Sequence, residues 1–136
     1  MLVSNRQNVP VDETALADLA RAALLEEGLG RVELSVSFVD EAEIEDLHVR
    51  FMDEPGPTDV LSFPLDAADE HGVRVLGDVV ICPVVAARNN PSDPSAELRL
   101  LIVHGVLHLL GYDHEEPEEK TEMWARQERY SGVSAL

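Results

Sequence analysis

The chain has 136 residues, 45% hydrophobic and 4% aromatic, which predicts a single domain, residues 1–136, with a core of aliphatic side chains. Its net charge of −17 argues against broad, non-specific binding to nucleic acid or to anionic membranes, because both repel an acidic surface. The single cysteine excludes an internal disulfide, the N-terminus does not resemble a signal peptide, and no apolar run could span a bilayer. We therefore expect a cytoplasmic protein without a membrane partner.

The first part of the chain predicts a helix, a strand and a second helix. Apolar residues recur at helical spacing over residues 12–27, and Gly28 is well placed to end that helix. Apolar and polar residues then alternate over residues 32–38, as in a strand with one buried face. Asp40, with Glu43 three residues later, is typical of a helix start. The predicted inner face of this second helix carries Ile44, Leu47 and Phe51.

Two further strands and a short helix are predicted in the middle of the chain. Residues 59–65 and 73–82 have the composition of strands, and the polar segment 66–72 is expected to be the loop between them. This loop is too long for a two-residue hairpin turn. Pro83 suits the first turn of a short helix that ends near Asn90.

Two helices are predicted in the last third of the chain. Ser95 is expected to cap a helix over residues 96–110, which is hydrophobic nearly all round and hence central to the fold. Pro117 opens an amphipathic helix that reaches about Tyr130. Helices before, between and after at least three strands predict an α/β fold of mixed α+β character, in two or three layers.

Three histidines lie close together in the segment HGVLHLLGYDH. His104 and His108 are four residues apart on the central helix, so both rings lie on one face within reach of one ion. Gly111 permits a sharp turn at the helix end, which can bring His114 toward the other two rings. Three imidazoles leave a fourth position for water, as in hydrolytic zinc sites. We predict one divalent ion, with zinc favoured, although nickel, cobalt and copper also suit imidazole.

The spacing of the three histidines is that of the ligands in metzincin peptidases, with one difference. The residue after the first histidine, where those peptidases carry the glutamate that activates water, is Gly105. The metal ligands of such an enzyme are therefore present, but its base is not. Another group, or the substrate itself, must handle the protons.

Five further polar residues are candidates for the chemistry, and each has a simpler alternative. Asp113 could orient a ligand ring or act as a catalytic base, or it could be an ordinary turn residue. Arg50 is a catalytic candidate and Arg88 and Arg99 are RNA-binding candidates, because a guanidinium can bind a phosphate with two hydrogen bonds; each could instead be a surface charge. Ser62 could face a cleft or be an ordinary polar residue of a strand.

Three motifs resemble the YbeY family of rRNA maturation endoribonucleases and occur in that family's order. They are PTDVLSFP at 57–64, LGDVVI at 76–81 and HGVLHLLGYDH at 104–114. The resemblance extends from about Val32 to Arg129. It implies a small α/β domain with a four-stranded sheet and about five helices. This is one strand more than the pattern analysis finds, and Leu2–Asn5 is the best candidate for it.

The resemblance also implies a function. It is that of a zinc-dependent endoribonuclease specific for single-stranded RNA, acting in small-subunit rRNA 3′-end maturation and ribosome quality control. RNA and the small ribosomal subunit would be its partners, and the family's metal ligands correspond to His104, His108 and His114. Two alternatives are a metal-dependent hydrolase of another substrate, such as a peptide, and a non-catalytic, ribosome-associated zinc protein.

The sequence departs from the family pattern at two places. Many members have an arginine directly after the aromatic residue that precedes the proline turn, whereas Phe51 is followed here by Met52. The nearest basic residue, Arg50, lies on the other side of Phe51, about 200° from position 52 around a helix. The second departure is in residues 89–95, which lack a Gly-His pair often found before the histidine helix. Neither change affects the predicted metal ligands.

Overall fold

The computed structural model describes the backbone of residues 1–134 and their side chains except that of Asp66. Residues 135 and 136, which the predicted domain includes, lie outside this part of the chain. The described residues form four strands and five helices. In chain order these are β1 (Leu2–Arg6), α1 (Glu13–Glu26), β2 (Val32–Val39), α2 (Glu41–Met52), β3 (Val60–Ala68), β4 (Arg74–Ile81), α3 (Pro83–Asn89), α4 (Pro94–Leu109) and α5 (Pro117–Ser131).

The strands form one mixed sheet in the order β1-β2-β4-β3. β1 is parallel to β2 and β2 is parallel to β4, whereas β3 runs antiparallel to β4 at one edge. α1 connects β1 to β2, because two parallel neighbours need a crossover connection. The predicted α/β fold with four strands and five helices is confirmed. It includes the N-terminal strand, which only the family resemblance predicts.

Helices cover both faces of the sheet, which gives three layers. α1, α4 and α5 pack over the main core, where Phe38, Leu76 and Ile102 are fully buried. α2 packs through Ile44 over a smaller core on the opposite face, built with Val39, Leu61, Val80, Cys82 and Val85. α4 is the central helix, in contact with α1, α3, α5, β3 and β4. No helix within residues 1–134 is both long enough and apolar enough to cross a membrane.

The start of α4 differs from the prediction. Asp93, not Ser95, is the N-cap, and its side chain accepts a hydrogen bond from the backbone N–H of Ala96 at 3.1 Å. Pro94 occupies the first turn, where the absence of an N–H has no cost because that N–H would have no partner in the helix. The helix that carries two of the histidines therefore begins before residue 96.

Two other predicted details are wrong. Helical spacing predicts Phe51 on the inner face of α2, but this residue is 60% exposed and its ring contacts that of Phe63 edge to face, with centroids 5.6 Å apart. Helical spacing identifies a face of a helix but does not show how far the underlying sheet extends. The segment 66–72 is not all loop, because β3 continues to Ala68 across an irregularity in its pairing with β4 after Pro64.

Candidate metal centre

α4 positions the first two histidines of the candidate site. His104 and His108 lie one turn apart on this helix, with their ring centroids 4.6 Å apart. The rest of the helix is anchored in the core, since Val103, Val106 and Leu107 are fully buried. Both rings are half-buried and lie on a rigid element, so little conformational freedom remains to be lost when they bind a ligand.

A tight turn at the end of α4 brings the third histidine back. Gly111 has φ +98°, a conformation that side chains strongly disfavour. The N–H of Gly111 bonds to the carbonyl of His108 at 3.0 Å, and the N–H of Tyr112 bonds to that of Leu107 at 3.1 Å. This pair of bonds is the Schellman arrangement, which reverses the chain direction at a helix end. His114 follows directly after this turn.

The three rings converge as the sequence predicts. One ligand atom from each of His104, His108 and His114 lies within 4.8 Å of the others. The ring centroids of His104 and His114 are 5.9 Å apart and those of His108 and His114 are 5.3 Å apart. Within residues 1–134 this is the one group of three or more histidine, cysteine or carboxylate ligands close enough to hold a single ion. The three side chains could therefore bind a metal ion, and three nitrogen donors suit zinc.

Gln127 orients the first ligand ring. Its amide oxygen accepts a hydrogen bond from Nδ1 of His104 at 2.6 Å, and its side chain is only 3% exposed. With the proton held on Nδ1, Nε2 keeps the lone pair that a metal requires. Gln127 is not among the site residues predicted from the sequence. The signal was available, because Gln127 lies between Met123 and Ser131 on the buried face of α5, where an apolar residue is expected.

The environment keeps the two ligand rings on α4 neutral. Burial lowers the pKa of His104 below the usual 6.5. Burial, together with repulsion from the other two imidazoles, lowers the pKa of His108 to about 4. Only a neutral imidazole can bind a metal, so at pH 7 these two rings are in the form that coordination requires.

An open cleft of about 310 Å³ lies over the three rings. β3 forms its opposite wall, and Oγ of Ser62 donates to the carbonyl oxygen of Gly105 at 3.2 Å, which ties this wall to α4. Asp59 is held at the end of the wall by the N–H of Val60 at 2.8 Å and by the amide of Asn89 at 3.2 Å. The lining residues are Asp59, Val60, Leu61, Ser62, Pro64 and the three histidines.

The structure explains the glycine that replaces the metzincin glutamate. A Cβ atom at Gly105 would lie 2.5 Å from Cγ1 of Val79 and 3.4 Å from Oγ of Ser62. α4 can approach the sheet this closely only because residue 105 has no side chain. Any larger side chain at this position, the glutamate of the peptidases included, would have to displace the side chain of Val79, so the packing disfavours the peptidase base here.

A tryptophan lies on the α5 side of the histidines. The ring centroid of Trp124 is 6.0 Å from that of His104 and 5.6 Å from that of His114, with both pairs nearly perpendicular. Nζ of Lys120 lies 5.5 Å from the indole centroid. Neither Trp124 nor Lys120 is among the site residues predicted from the sequence. As the single tryptophan of the chain, Trp124 can report metal binding by its fluorescence.

The two predicted catalytic residues do not line the cleft. Oδ1 of Asp113 accepts a hydrogen bond from the backbone N–H of His114 at 2.7 Å, and its negative charge raises the pKa of His108 against the effect of burial. Arg50 is exposed on α2 and forms an ion pair with Asp46 at 3.1 Å. Their roles in catalysis stay predictions.

The two predicted RNA-binding arginines also lie outside the lining of the cleft. Arg88 forms an ion pair with Glu41 at 2.5 Å, and its side chain is exposed. Arg99 contacts the hydroxyl of Ser95 at 3.5 Å one turn earlier on α4. Their contacts with RNA stay predictions.

Comparison with known proteins identifies the family. The family model described as Endoribonuclease YbeY matches residues 2–132, which is nearly the whole chain. The chain belongs to the YbeY family. Two curated relatives, both named Endoribonuclease YbeY, come from Streptomyces coelicolor and Thermobifida fusca and are 49% and 52% identical to it. The alignments cover 92% of this chain in both cases, and 84% and 87% of the relatives.

A solved structure has the same overall fold. The solution structure of TM1509 from Thermotoga maritima matches with a TM-score of 0.61 at 31% sequence identity. The match covers 96% of this chain and 87% of that one. The chain is therefore a member of a family of hydrolytic endoribonucleases. The three histidines that converge in the structure belong to the motif at 104–114 that resembles this family.

Proposed function

We propose that this member of the YbeY family is a zinc-dependent endoribonuclease that cleaves single-stranded RNA in small-subunit rRNA 3′-end maturation and ribosome quality control. The observation that carries the proposal is the convergence of three imidazoles, with ligand atoms within 4.8 Å of one another, beneath an open cleft. Three nitrogen ligands with a vertex left free are typical of catalytic zinc. The names of the curated relatives support RNA as the substrate class.

The residues of such a site would have different roles. His104 and His108 would hold the ion from a rigid helix, and His114 would hold it from the loop after the turn. Gln127 retains the Nδ1 proton of His104 and fixes the orientation of its ring. When bound, a divalent ion would supply positive charge beside a phosphate oxygen and lower the pKa of a bound water. Ser62, through its hydrogen bond to the carbonyl of Gly105, ties the β3 wall of the cleft to α4.

Gly105 has no side chain that could accept a proton, so the proton of the attacking group must pass to another group. Asp59 supplies the carboxylate on the cleft wall, and Asp113 is the predicted alternative beside His114. If the RNA 2′-OH attacks, its oxygen forms a bond to phosphorus and the P–O5′ bond breaks. The 5′ oxygen then takes up a proton. This route needs a ribose, so a 2′-deoxy substitution at the cleaved nucleotide should block it.

The two alternative functions are less well supported. A metzincin-type peptidase needs a glutamate at position 105, which is glycine here, and a Cβ atom there would already lie 2.5 Å from Cγ1 of Val79. A structural zinc site needs a fourth protein ligand, whereas the ligand group found within residues 1–134 has three members. Both observations favour a hydrolase with an open metal position.

The first test is cleavage of a single-stranded oligoribonucleotide by the purified protein. We expect cleavage that a chelator abolishes and added zinc restores. His108→Ala should be inactive, whereas His71→Ala, which removes an exposed loop histidine, should be as active as wild type. Equal cleavage by wild type, chelated protein and His108→Ala would identify a contaminating nuclease and contradict the proposal.

The ribosomal role is tested separately. The net charge of −17 disfavours capture of RNA in general, which supports a substrate presented in a defined setting such as the small subunit. We further propose that residues 1–136 form one domain and that the protein acts in the cytoplasm. Immature small subunits incubated with the wild-type protein should gain the mature rRNA 3′ end, and those incubated with His108→Ala should not. Cleavage of free RNA without any change at that end would limit the proposal to the nuclease activity.

A further inference from the structure

A buried carboxylate outside the cleft connects three parts of the molecule. Glu27 caps the C-terminus of α1, and only 8% of its side chain is exposed. It accepts hydrogen bonds from the hydroxyl of Tyr112 at 2.5 Å, from Nη1 of Arg126 at 2.9 Å and from the hydroxyl of Tyr130. Burial by itself would raise the pKa of Glu27, but these donors together lower it, so the carboxylate is charged at neutral pH.

Tyr112 links this cluster to the metal centre. It follows Gly111 in the turn after α4, and its backbone N–H bonds to the carbonyl of Leu107. The guanidinium of Arg126 lies 5.0 Å from the centroid of the Tyr112 ring, and the hydroxyl of Tyr112 donates a hydrogen bond to Glu27. The loop between α4 and α5 is therefore anchored at Tyr112, two residues before His114.

The third histidine depends on this anchor more than the other two. His104 and His108 are fixed by α4, whereas His114 lies in the loop and is exposed. The backbone N–H of His114 bonds within the loop itself, to Asp113, and its ring meets the ring of His108 edge on at 5.3 Å. The distance from His114 to the helix-borne rings is thus set by the loop backbone.

We propose that Glu27 is a positioning residue of the metal centre, which holds the His114 loop through Tyr112 and thereby raises the affinity for the ion and slows its release. The inference rests on the metal site proposed above. Removal of a group that orients a ligand typically lowers metal affinity about 10- to 100-fold. We expect the lower end of this range, because the anchor acts on the backbone two residues from His114.

A purely structural role for Glu27 predicts a different outcome. In that case Glu27 would only join α1 to α5, through Tyr130 and Arg126. The two tyrosines provide a matched pair of variants, because each hydroxyl bonds to the same carboxylate and each residue is partly buried. Tyr112→Phe releases the metal-site loop, whereas Tyr130→Phe weakens only the contact between α1 and α5.

The experiment compares zinc affinity and zinc release in the full-length variants. Affinity is measured by competition with a chromophoric chelator, and release by Trp124 fluorescence after addition of excess EDTA. Tyr112→Phe should weaken zinc binding about tenfold and speed release, whereas Tyr130→Phe should leave both unchanged. Glu27→Gln is the second variant and should resemble Tyr112→Phe. Urea unfolding of the metal-free proteins should show similar stability losses for the two tyrosine variants.

The possible outcomes separate this inference from the proposed function. Equal losses of zinc affinity in Tyr112→Phe and Tyr130→Phe, or no loss in Tyr112→Phe, would overturn the positioning role of Glu27. If wild type binds zinc and His108→Ala does not, the metal site stands whichever way the tyrosine variants turn out. If wild type and His108→Ala bind zinc equally, or if neither binds it, both the metal site and the role of Glu27 are refuted.

Discussion

Replacement of Gln127 tests how the protein prepares His104 for a metal. Gln127→Leu keeps much of the side-chain volume but removes the oxygen that accepts the Nδ1 proton at 2.6 Å. Gln127→Glu keeps an oxygen there and adds a negative charge. The two variants therefore alter a single hydrogen bond in opposite ways, at a position that is only 3% exposed.

The magnitude follows from the burial of this bond. Without its acceptor, the Nδ1–H group of His104 is left without a partner, which costs about 1–3 kcal/mol. The ring can then rotate or change tautomer, and we expect zinc affinity to fall about 10- to 100-fold. A charged acceptor forms a bond roughly twice as strong and makes the imidazole a better donor to the metal. Gln127→Glu should therefore bind zinc more tightly than wild type.

The assay is competition for zinc with a chromophoric chelator at neutral pH, with circular dichroism to verify that each variant is folded. Glu128→Gln, at the next and exposed position of α5, is the control and should bind zinc as wild type does. If both Gln127 variants shifted the zinc Kd in the same direction, or if neither shifted it, the assigned role of this hydrogen bond would be wrong.

Three further predictions concern packing, pH and salt. Gly105→Ala should lower the free energy of unfolding by about 1–3 kcal/mol in urea titrations, because the new Cβ atom clashes with Val79. A second change, Val79→Ala, should relieve part of that clash. If the losses of the two single variants simply add in the double variant, the close approach of α4 to Val79 is contradicted. Because the pKa of His108 falls from 6.5 to about 4 on folding, the unfolded chain binds more protons between these values, so metal-free protein should lose stability as pH falls through this window. The loss should be smaller in His108→Gln, and identical pH profiles would show that the ring is not buried neutral. Because the net charge of −17 repels RNA and salt screens this repulsion, the KM for free single-stranded RNA should fall as salt is raised toward about 0.1 M, where the screening length is about 10 Å. A steep rise in KM would instead indicate a cationic RNA site.

Local sequence signals predicted most of the elements because their causes are local. The spacing of four between His104 and His108 places two rings on one helical face in any α-helix, and the glycine after the helix permits a reversal. Asp40 does cap α2, with its side chain accepting from the N–H of Glu43. The predicted start of α4 is wrong because Ser95 and Asp93 are both good capping residues, and the proline between them decides which one is used.

Features that depend on distant parts of the chain could not be read in this way. Gln127 and His104 are 23 positions apart, and their hydrogen bond exists because α5 packs beside α4. The wall of the cleft comes from β3, whose Ser62 is 43 positions from Gly105. Phe51 has the spacing of a buried residue, yet it is exposed. A helical pattern does not show how far the surface beneath the helix extends, so it could not predict this exposure.

By itself the sequence determined the composition of the candidate centre: three imidazoles with the spacing of metal ligands, on an apolar helix followed by a glycine turn, and no glutamate after the first of them. The tertiary structure decided which side chains surround those rings. It also showed why glycine is favoured at residue 105, since Val79 fills the space where a side chain would begin. Ligand spacing is a property of one helix and its turn, whereas ring tautomer, cleft shape and loop anchoring arise only when helices and strands from distant positions pack together.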